Sequence, residues 1–200
     1  VERCGTCRRL RAMHTIPERC EPDDYRDAVY LFNGLFQPAH NTVLVAGDGE
    51  PEYRPADRHC RWNRIVFAHG FYASALHEIS HWCIAGAERR RHYDYGYWYQ
   101  PDGRSAEQQA EFEKVESRPQ ALEWILTVAS GRRFHLSLDN LEGEDSGQHE
   151  RFAAEVHRHA WRYLENGLPG RAERFRQALL DWYGRRRAFA EYAFSLEQLL

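Results

Sequence analysis

The sequence predicts an α+β protein, mainly helical, in which a single domain also carries a small β-sheet. Apolar residues recur at helical spacing in several segments, which is the pattern of helices that bury one face. Two short runs rich in β-branched residues, TVLVA and RIVFA, are typical of strands. No internal repeat or low-complexity linker interrupts the 200 residues, and this length suits one domain.

The predicted elements are taken in chain order. An amphipathic helix over 23–36 precedes a strand over 42–46, with which we expect residues 52–54 to pair. A second strand, 64–68, leads into a helix bounded by Gly70 and by Gly86, the latter as its C-terminal cap. The remaining predicted elements are a helix from Ser105 to Ala129 that either kinks at Pro119 or restarts there, a strand over 134–138, and helices over 146–166, 171–183 and 189–200.

The ends of the chain differ in character from its middle. Residues 1–22 show no apolar periodicity, so we expect a disordered extension, and Met13, the only methionine, is the expected native start. Residues 23–183 form the predicted functional domain, and residues 184–200 form a predicted C-terminal helix.

Composition excludes several classes of partner. The net charge of −3 provides no general electrostatic attraction to nucleic acid. No stretch reaches the roughly 20 apolar residues of a membrane span, and the N-terminus has no secretion signal. We therefore expect a cytoplasmic protein that binds neither nucleic acid nor membrane.

The stretch AHGFYASALHEISHWCIAG, residues 68–86, contains the motif H-E-x-x-H at His77, Glu78 and His81. Residues four apart lie on one face of a helix, so both imidazoles can point at one metal ion. Glu78 can reach the open side of the same ion through a water. The apolar positions Leu76, Ile79 and Cys83 would bury the opposite face. The motif alone is also compatible with a surface helix carrying two solvated histidines.

A third protein ligand is needed beside the two histidines, and the helix of residues 105–129 offers two candidates. At about 100° per residue, Glu116 lies at the border of the apolar stripe, and Glu123 is nearly in register with it. Glu113 falls near the opposite face. Glu116 and Glu123 are therefore the carboxylates that could point inward, and the helix geometry leaves both open as the third ligand.

Three kinds of metal protein fit this donor set. A zinc hydrolase would use Glu78 as its general base. A ferrous oxygenase would use two histidines and one carboxylate and leave positions open for oxygen and substrate. A non-catalytic module with a structural metal is the third reading, although structural zinc sites usually have four protein ligands, mostly cysteine.

Longer blocks of sequence resemble the bacterial elongation factor P hydroxylases, over roughly residues 23–183. These blocks are NRIVFAHGFYASALHEISHWCIAG at 63–86, GYWY at 96–99, PDGR at 101–104, PQAL at 119–122 and DNLEG at 139–143. The resemblance implies an enzyme that hydroxylates the lysine of elongation factor P after its β-lysylation. It also implies a zincin-like helical fold around the H-E-x-x-H helix, not a double-stranded-helix dioxygenase.

By residue, the resemblance carries metal binding onto His77, His81 and Glu116. The implied cofactor is a divalent metal, with Fe(II) expected, and the implied co-substrate is molecular oxygen, as in a non-heme iron monooxygenase. The implied partner is β-lysylated elongation factor P.

Other residues have both a functional and a structural interpretation at this stage. His69 either supports a metal ligand or is a hydrogen-bonded core histidine. Arg89–Arg91 either dock an acidic protein or complement the dipole of the preceding helix. Residues that could contact the substrate but could equally be core or solvated are Tyr97, Trp98, Tyr99, Asp102, Asp139 and Glu142.

Overall fold

A computed structural model of the chain describes residues 24–93, 106–137 and 146–200. The described part is mainly helical and contains one three-stranded sheet, as the sequence predicts. The chain divides into two compact units, Val1–Gly96 and Tyr97–Leu200, and each is described by itself. The predicted extension of residues 1–22 lies outside the described residues. The predicted domain boundaries and the zincin-like architecture stay predictions.

In the first unit the elements are helix α1 (Arg26–His40), strands β1 (Thr42–Gly47), β2 (Glu52–Arg54) and β3 (Asn63–Ala68), and helix α2 (Tyr72–Ile84). Helix α1 packs on β1 and helix α2 on β3. Four apolar residues recur at helical spacing in the α1 segment: Tyr25, Val29, Phe32 and Phe36. The last three are buried in the core, and Tyr25 is half-buried just before the helix. A 3-10 turn, Arg89–Arg91, follows α2.

Helix α1 is longer than predicted at its C-terminal end. It continues through Pro38 to His40, beyond the predicted end at Phe36. The helix ends instead at Asn41, which adopts a left-handed conformation with φ of 51°. Its N–H bonds back to the carbonyl oxygens of Phe36 and Gln37, so the final carbonyls have the partner that a helix end requires.

The sheet has the order β1-β3-β2, which corrects one predicted pairing. Strand β3 lies in the centre, parallel to β1 and antiparallel to β2. Residues 52–54 therefore pair with β3 and not with β1. Beside β1, the side-chain amide of Asn33 accepts from the N–H of Leu44 at 2.7 Å and donates to its carbonyl at 3.3 Å. A helix side chain thus meets the backbone groups that another strand would use.

The described residues of the second unit contain four α-helices and an apolar core. The helices are α3 (Ala106–Ala129), α4 (Ser146–Asn166), α5 (Gly170–Tyr183) and the short α6 (Arg186–Ala190). Helix α3 is one helix that contains Pro119, so no new helix starts there. It packs against the other three. The core residues include Trp124, Ile125, Phe152 and Val156.

Two predicted elements of the second unit are wrong. Residues 134–137 form no strand, because the partner of this segment is a helix side chain: Gln120 donates to the Ser137 carbonyl at 2.6 Å and accepts from its N–H at 3.1 Å. The single helix over 189–200 is replaced by α6 and a 3-10 turn, Leu196–Gln198. Between them Phe194 turns into the core, and its carbonyl accepts a hydrogen bond from the Trp161 indole at 3.1 Å.

No helix among the described residues combines the length and the apolar character that crossing a bilayer requires.

Gly70 is the position in the first unit where backbone conformation and packing both demand glycine. Its φ is +70°, and a Cβ built there would lie 2.9 Å from the ring of Tyr25. We expect Gly70→Ala to lower the free energy of unfolding by about 1–2 kcal/mol from the left-handed conformation alone. Chemical denaturation measures it. The matched control is Gly86→Ala, which has no neighbour within 4 Å and no positive φ. An equal loss in both variants would contradict this account.

An ion pair between Arg64 and Asp57, which lies in the loop before β3, should make the stability of the fold depend on pH. The guanidinium of Arg64 donates to Asp57 at 2.6 Å and, with the N–H groups of Cys60 and His59, lowers the pKa of the Asp57 carboxyl from 3.8 to about 2. A carboxyl whose pKa is lower in the folded protein than in the unfolded chain stabilises the fold at any pH above its unfolded pKa. This contribution is lost as the pH falls through the pKa of the folded state. The unfolding free energies of the wild type and Asp57→Asn should therefore differ constantly above about pH 5 and converge toward pH 2. A difference that persists at pH 2 would refute this assignment.

Candidate metal centre

The helix that carries the H-E-x-x-H motif is α2, and it begins at an unusual turn. His69 and Gly70 both have positive φ, 49° and 70°. The N–H of His69 donates to the Gly47 carbonyl at 3.0 Å, and the N–H of Phe71 donates to the Ala68 carbonyl at 3.1 Å. These bonds tie the start of α2 to the ends of the parallel strands β1 and β3. The direction of the helix therefore follows from the sheet.

The buried face of α2 is the one that the apolar spacing predicts. Leu76, Ile79 and Cys83 are all buried, together with Tyr72 one turn earlier. Ser80 lies among them and donates its hydroxyl proton to the Leu76 carbonyl at 2.8 Å, so its polar group is satisfied within the helix. Because this face is fixed in the core, the rotation of α2 about its axis is fixed as well.

His77, Glu78 and His81 are half-buried on the other side of α2. The Nε2 atoms of the two histidines are 3.1 Å apart, and the ring centres are 4.7 Å apart at an angle of 64°. With metal–nitrogen bonds of about 2.1 Å, two nitrogens this close can bind one ion. The motif therefore produces the arrangement that its spacing predicts, and the histidine pair fits a metal.

Two carboxylates of α3 are buried in the second unit, and they are the two that the helical wheel selected. Glu116 is 5 % exposed and Glu123 is 7 % exposed. Glu113 has a different role, because its carboxylate accepts a hydrogen bond from Gln148 of α4 at 2.7 Å. Buried carboxylates are costly unless a cation, a metal or hydrogen bonds compensate them, so both residues remain candidates for the third ligand.

Several other predicted site residues can now be placed. His69 is exposed, so its interpretation as a core histidine is wrong. Of the three arginines after α2, Arg89 and Arg91 are exposed, while Arg90 is half-buried and donates to the Ala85 carbonyl at the end of α2. The helix-end interpretation is therefore correct for Arg90. The remaining candidates lie outside the described residues: Tyr97, Trp98, Tyr99, Asp102, Asp139 and Glu142.

The prediction that Gly86 caps the C-terminal end of α2 is wrong. Ala85 follows the helix in an extended conformation, with φ of −56° and ψ of 129°, and Gly86 has no positive φ. Gly86 is therefore not a left-handed cap. Sequence reasoning assigned the cap to glycine because glycine is common there. In the structure the Arg90 guanidinium bonds the Ala85 carbonyl, in agreement with the helix-dipole interpretation of the arginines.

Fold and site together define a class: a mainly helical protein whose paired helical histidines are suited to holding a metal ion. Comparison with known proteins then gives the family. The profile of a family described as elongation factor P hydroxylase matches residues 31–193. A protein of Haemophilus influenzae named elongation factor P lysine hydroxylase is 52 % identical over 157 residues, which cover 78 % of this chain and 88 % of that protein. The chain belongs to the elongation factor P hydroxylase family, and the resemblance seen in the sequence is confirmed.

Proposed function

We propose that this protein hydroxylates a lysine side chain of elongation factor P, after that lysine has been β-lysylated. The observation that carries the proposal is the 52 % identity to a protein named for this activity. The half-buried histidine pair of α2 supports it, because an unactivated C–H bond is not hydroxylated by amino-acid side chains alone. The protein is then an enzyme whose substrate is another protein.

His77, His81 and Glu116 are the proposed metal ligands, two imidazole nitrogens and one carboxylate oxygen. This donor set suits Fe(II) in oxygenases, with positions left for oxygen and substrate. A ferrous ion bound there would supply the activation of molecular oxygen that a monooxygenase needs. Glu116 is proposed over Glu123 because the resemblance to the elongation factor P hydroxylases assigns metal binding to Glu116.

The protein's own residues have three proposed tasks beyond ligation. The buried stripe of α2, which includes Leu76 and Ile79, fixes the rotation of the helix, so the two imidazoles keep one direction. The sheet-anchored turn at Gly70 holds the imidazoles in a constant position relative to the substrate. Glu78, adjacent to His77 and half-buried, holds a carboxylate where a proton can be accepted or returned beside the centre.

The ligand assignment predicts different behaviour for two variants of one helix. Glu116→Ala should lose metal, because a two-histidine site lacks the third protein ligand. Glu123→Ala should retain metal at the wild-type stoichiometry, although both residues are buried to the same degree. Metal content after anaerobic reconstitution measures this. The reverse result would assign the third ligand to Glu123.

The proposed reaction predicts a mass change in the substrate. Purified protein, reconstituted with Fe(II) and supplied with a reductant and oxygen, should add one oxygen atom to β-lysylated elongation factor P. Intact-mass spectrometry detects the product, and fragmentation locates it on the modified lysine. Elongation factor P without β-lysine is the matched substrate, and His77→Ala is the matched enzyme control.

A contrary result has a specific meaning for the alternatives. Tightly bound zinc and no mass gain with any reductant would support a zinc hydrolase in which Glu78 is the general base. Metal binding without any turnover of either kind would support a non-catalytic metal module.

A further inference from the structure

Both ends of α2 lack common stabilising features of helix termini. At the N-terminal end there is no side-chain cap and no acidic residue in the first turn, and at the C-terminal end the C-cap is not left-handed. The last turn of α2 matters because His81 belongs to it: the Ala85 N–H donates to the His81 carbonyl at 2.9 Å. Helix ends fray when their last carbonyls lack partners, and fraying here would move a proposed metal ligand.

Arg90 provides a partner for the last carbonyl. Its guanidinium donates to the Ala85 oxygen, where a cation also complements the negative end of the helix dipole. The same guanidinium carbon lies 6.0 Å from the ring centre of Trp82, a distance at which cation–π attraction begins. Trp82 is buried against Phe32 and Phe36 of α1. Arg90 therefore contacts the end of α2 at two residues, the Ala85 carbonyl and the Trp82 ring.

Arg90 is itself held by the sheet. The hydroxyl of Tyr53, on β2, donates to the Arg90 carbonyl at 2.9 Å. The Arg90 N–H donates to the Gly86 carbonyl at 3.3 Å. These bonds fix the backbone of the 3-10 turn. The Arg90 side chain therefore extends back to α2 from a backbone whose position is constrained. Arg91, its neighbour, is exposed and pairs with the exposed Glu88.

From this geometry we propose that Arg90 is a positioning residue for the metal centre. It keeps the last turn of α2 closed, so that His81 stays beside His77 in the arrangement that binds the ion. The inference rests on the proposed function only in taking these histidines as metal ligands. Without Arg90, part of the folded population has an open last turn, and the apparent affinity falls by the fraction that remains competent.

The test is a titration of the full metal-free chain with Co(II), followed through the visible absorption bands of the bound ion. We expect Arg90→Ala to raise the dissociation constant about tenfold, in the range found when groups that support a metal ligand are removed. Arg90→Lys keeps the charge but not the planar fork, so an intermediate value is expected. Arg91→Ala is the matched control and should bind Co(II) like the wild type.

A merely structural role predicts a different result. A variant that is less stable globally but still folded has an unchanged dissociation constant, because the titration reports the folded population. Local opening also predicts faster hydrogen exchange at the Ala85 amide in the metal-free Arg90→Ala protein, with little change in the amides of β3. Should Arg90→Ala fail to fold, Arg90→Lys and Tyr53→Phe make the same comparison.

The outcomes separate this inference from the proposed function. Unchanged Co(II) affinity and unchanged Ala85 exchange in the Arg90 variants would overturn the inference and leave the metal centre intact. Wild-type protein that binds no Co(II), or binds it equally well as His77→Ala, would overturn the metal centre itself. Weaker binding with faster exchange at Ala85, and neither effect in Arg91→Ala, would support the positioning role.

Discussion

The constraint on which the first unit depends is the fixed orientation of α2. Two imidazoles with Nε2 atoms 3.1 Å apart can share an ion only while the helix neither rotates nor frays. The buried stripe that includes Ile79 prevents rotation of the helix. Turning the stripe toward solvent would expose apolar surface, at a free-energy cost of about 25 cal/mol per Å². The turn at Gly70 fixes one end of the helix and Arg90 contacts the other. The turn and Arg90 are both hydrogen-bonded to residues of the three-stranded sheet. The sheet therefore fixes the position of the histidine pair.

Side-chain amides perform a second task that the small sheet cannot. Asn33 bonds both backbone groups of Leu44, and Gln120 bonds both backbone groups of Ser137. In each case a helix residue meets another segment of the backbone with the same donor and acceptor pair that a strand would offer. Side-chain amides can thereby hold further segments of chain against the helices without enlarging the three-stranded sheet of the described residues.

Local patterns predicted the parts of this fold that depend on neighbours in sequence. The helical spacing of α1, α2 and α4, the strands β1 and β3, and the histidine pair four residues apart all follow from periodicities that a single element imposes on itself. The helical wheel also selected Glu116 and Glu123 as the carboxylates of α3 that could point inward, because the direction of a side chain about one helix follows from its position in the sequence. Family membership was visible for the same reason, since the matching blocks are continuous in sequence.

Tertiary structure decided what depends on distant residues. The sequence alone determined that a helix presents His77 and His81 together, since their spacing and the apolar stripe are properties of that helix. It could not determine that β2 pairs with β3 and not with β1, or that Phe194 leaves the predicted helix, enters the core and accepts a hydrogen bond from the Trp161 indole. Each of these features is a contact between residues well separated along the chain or a competition between two possible partners. Such contacts are settled by packing and hydrogen bonding in three dimensions, which leave no periodic signal in the sequence.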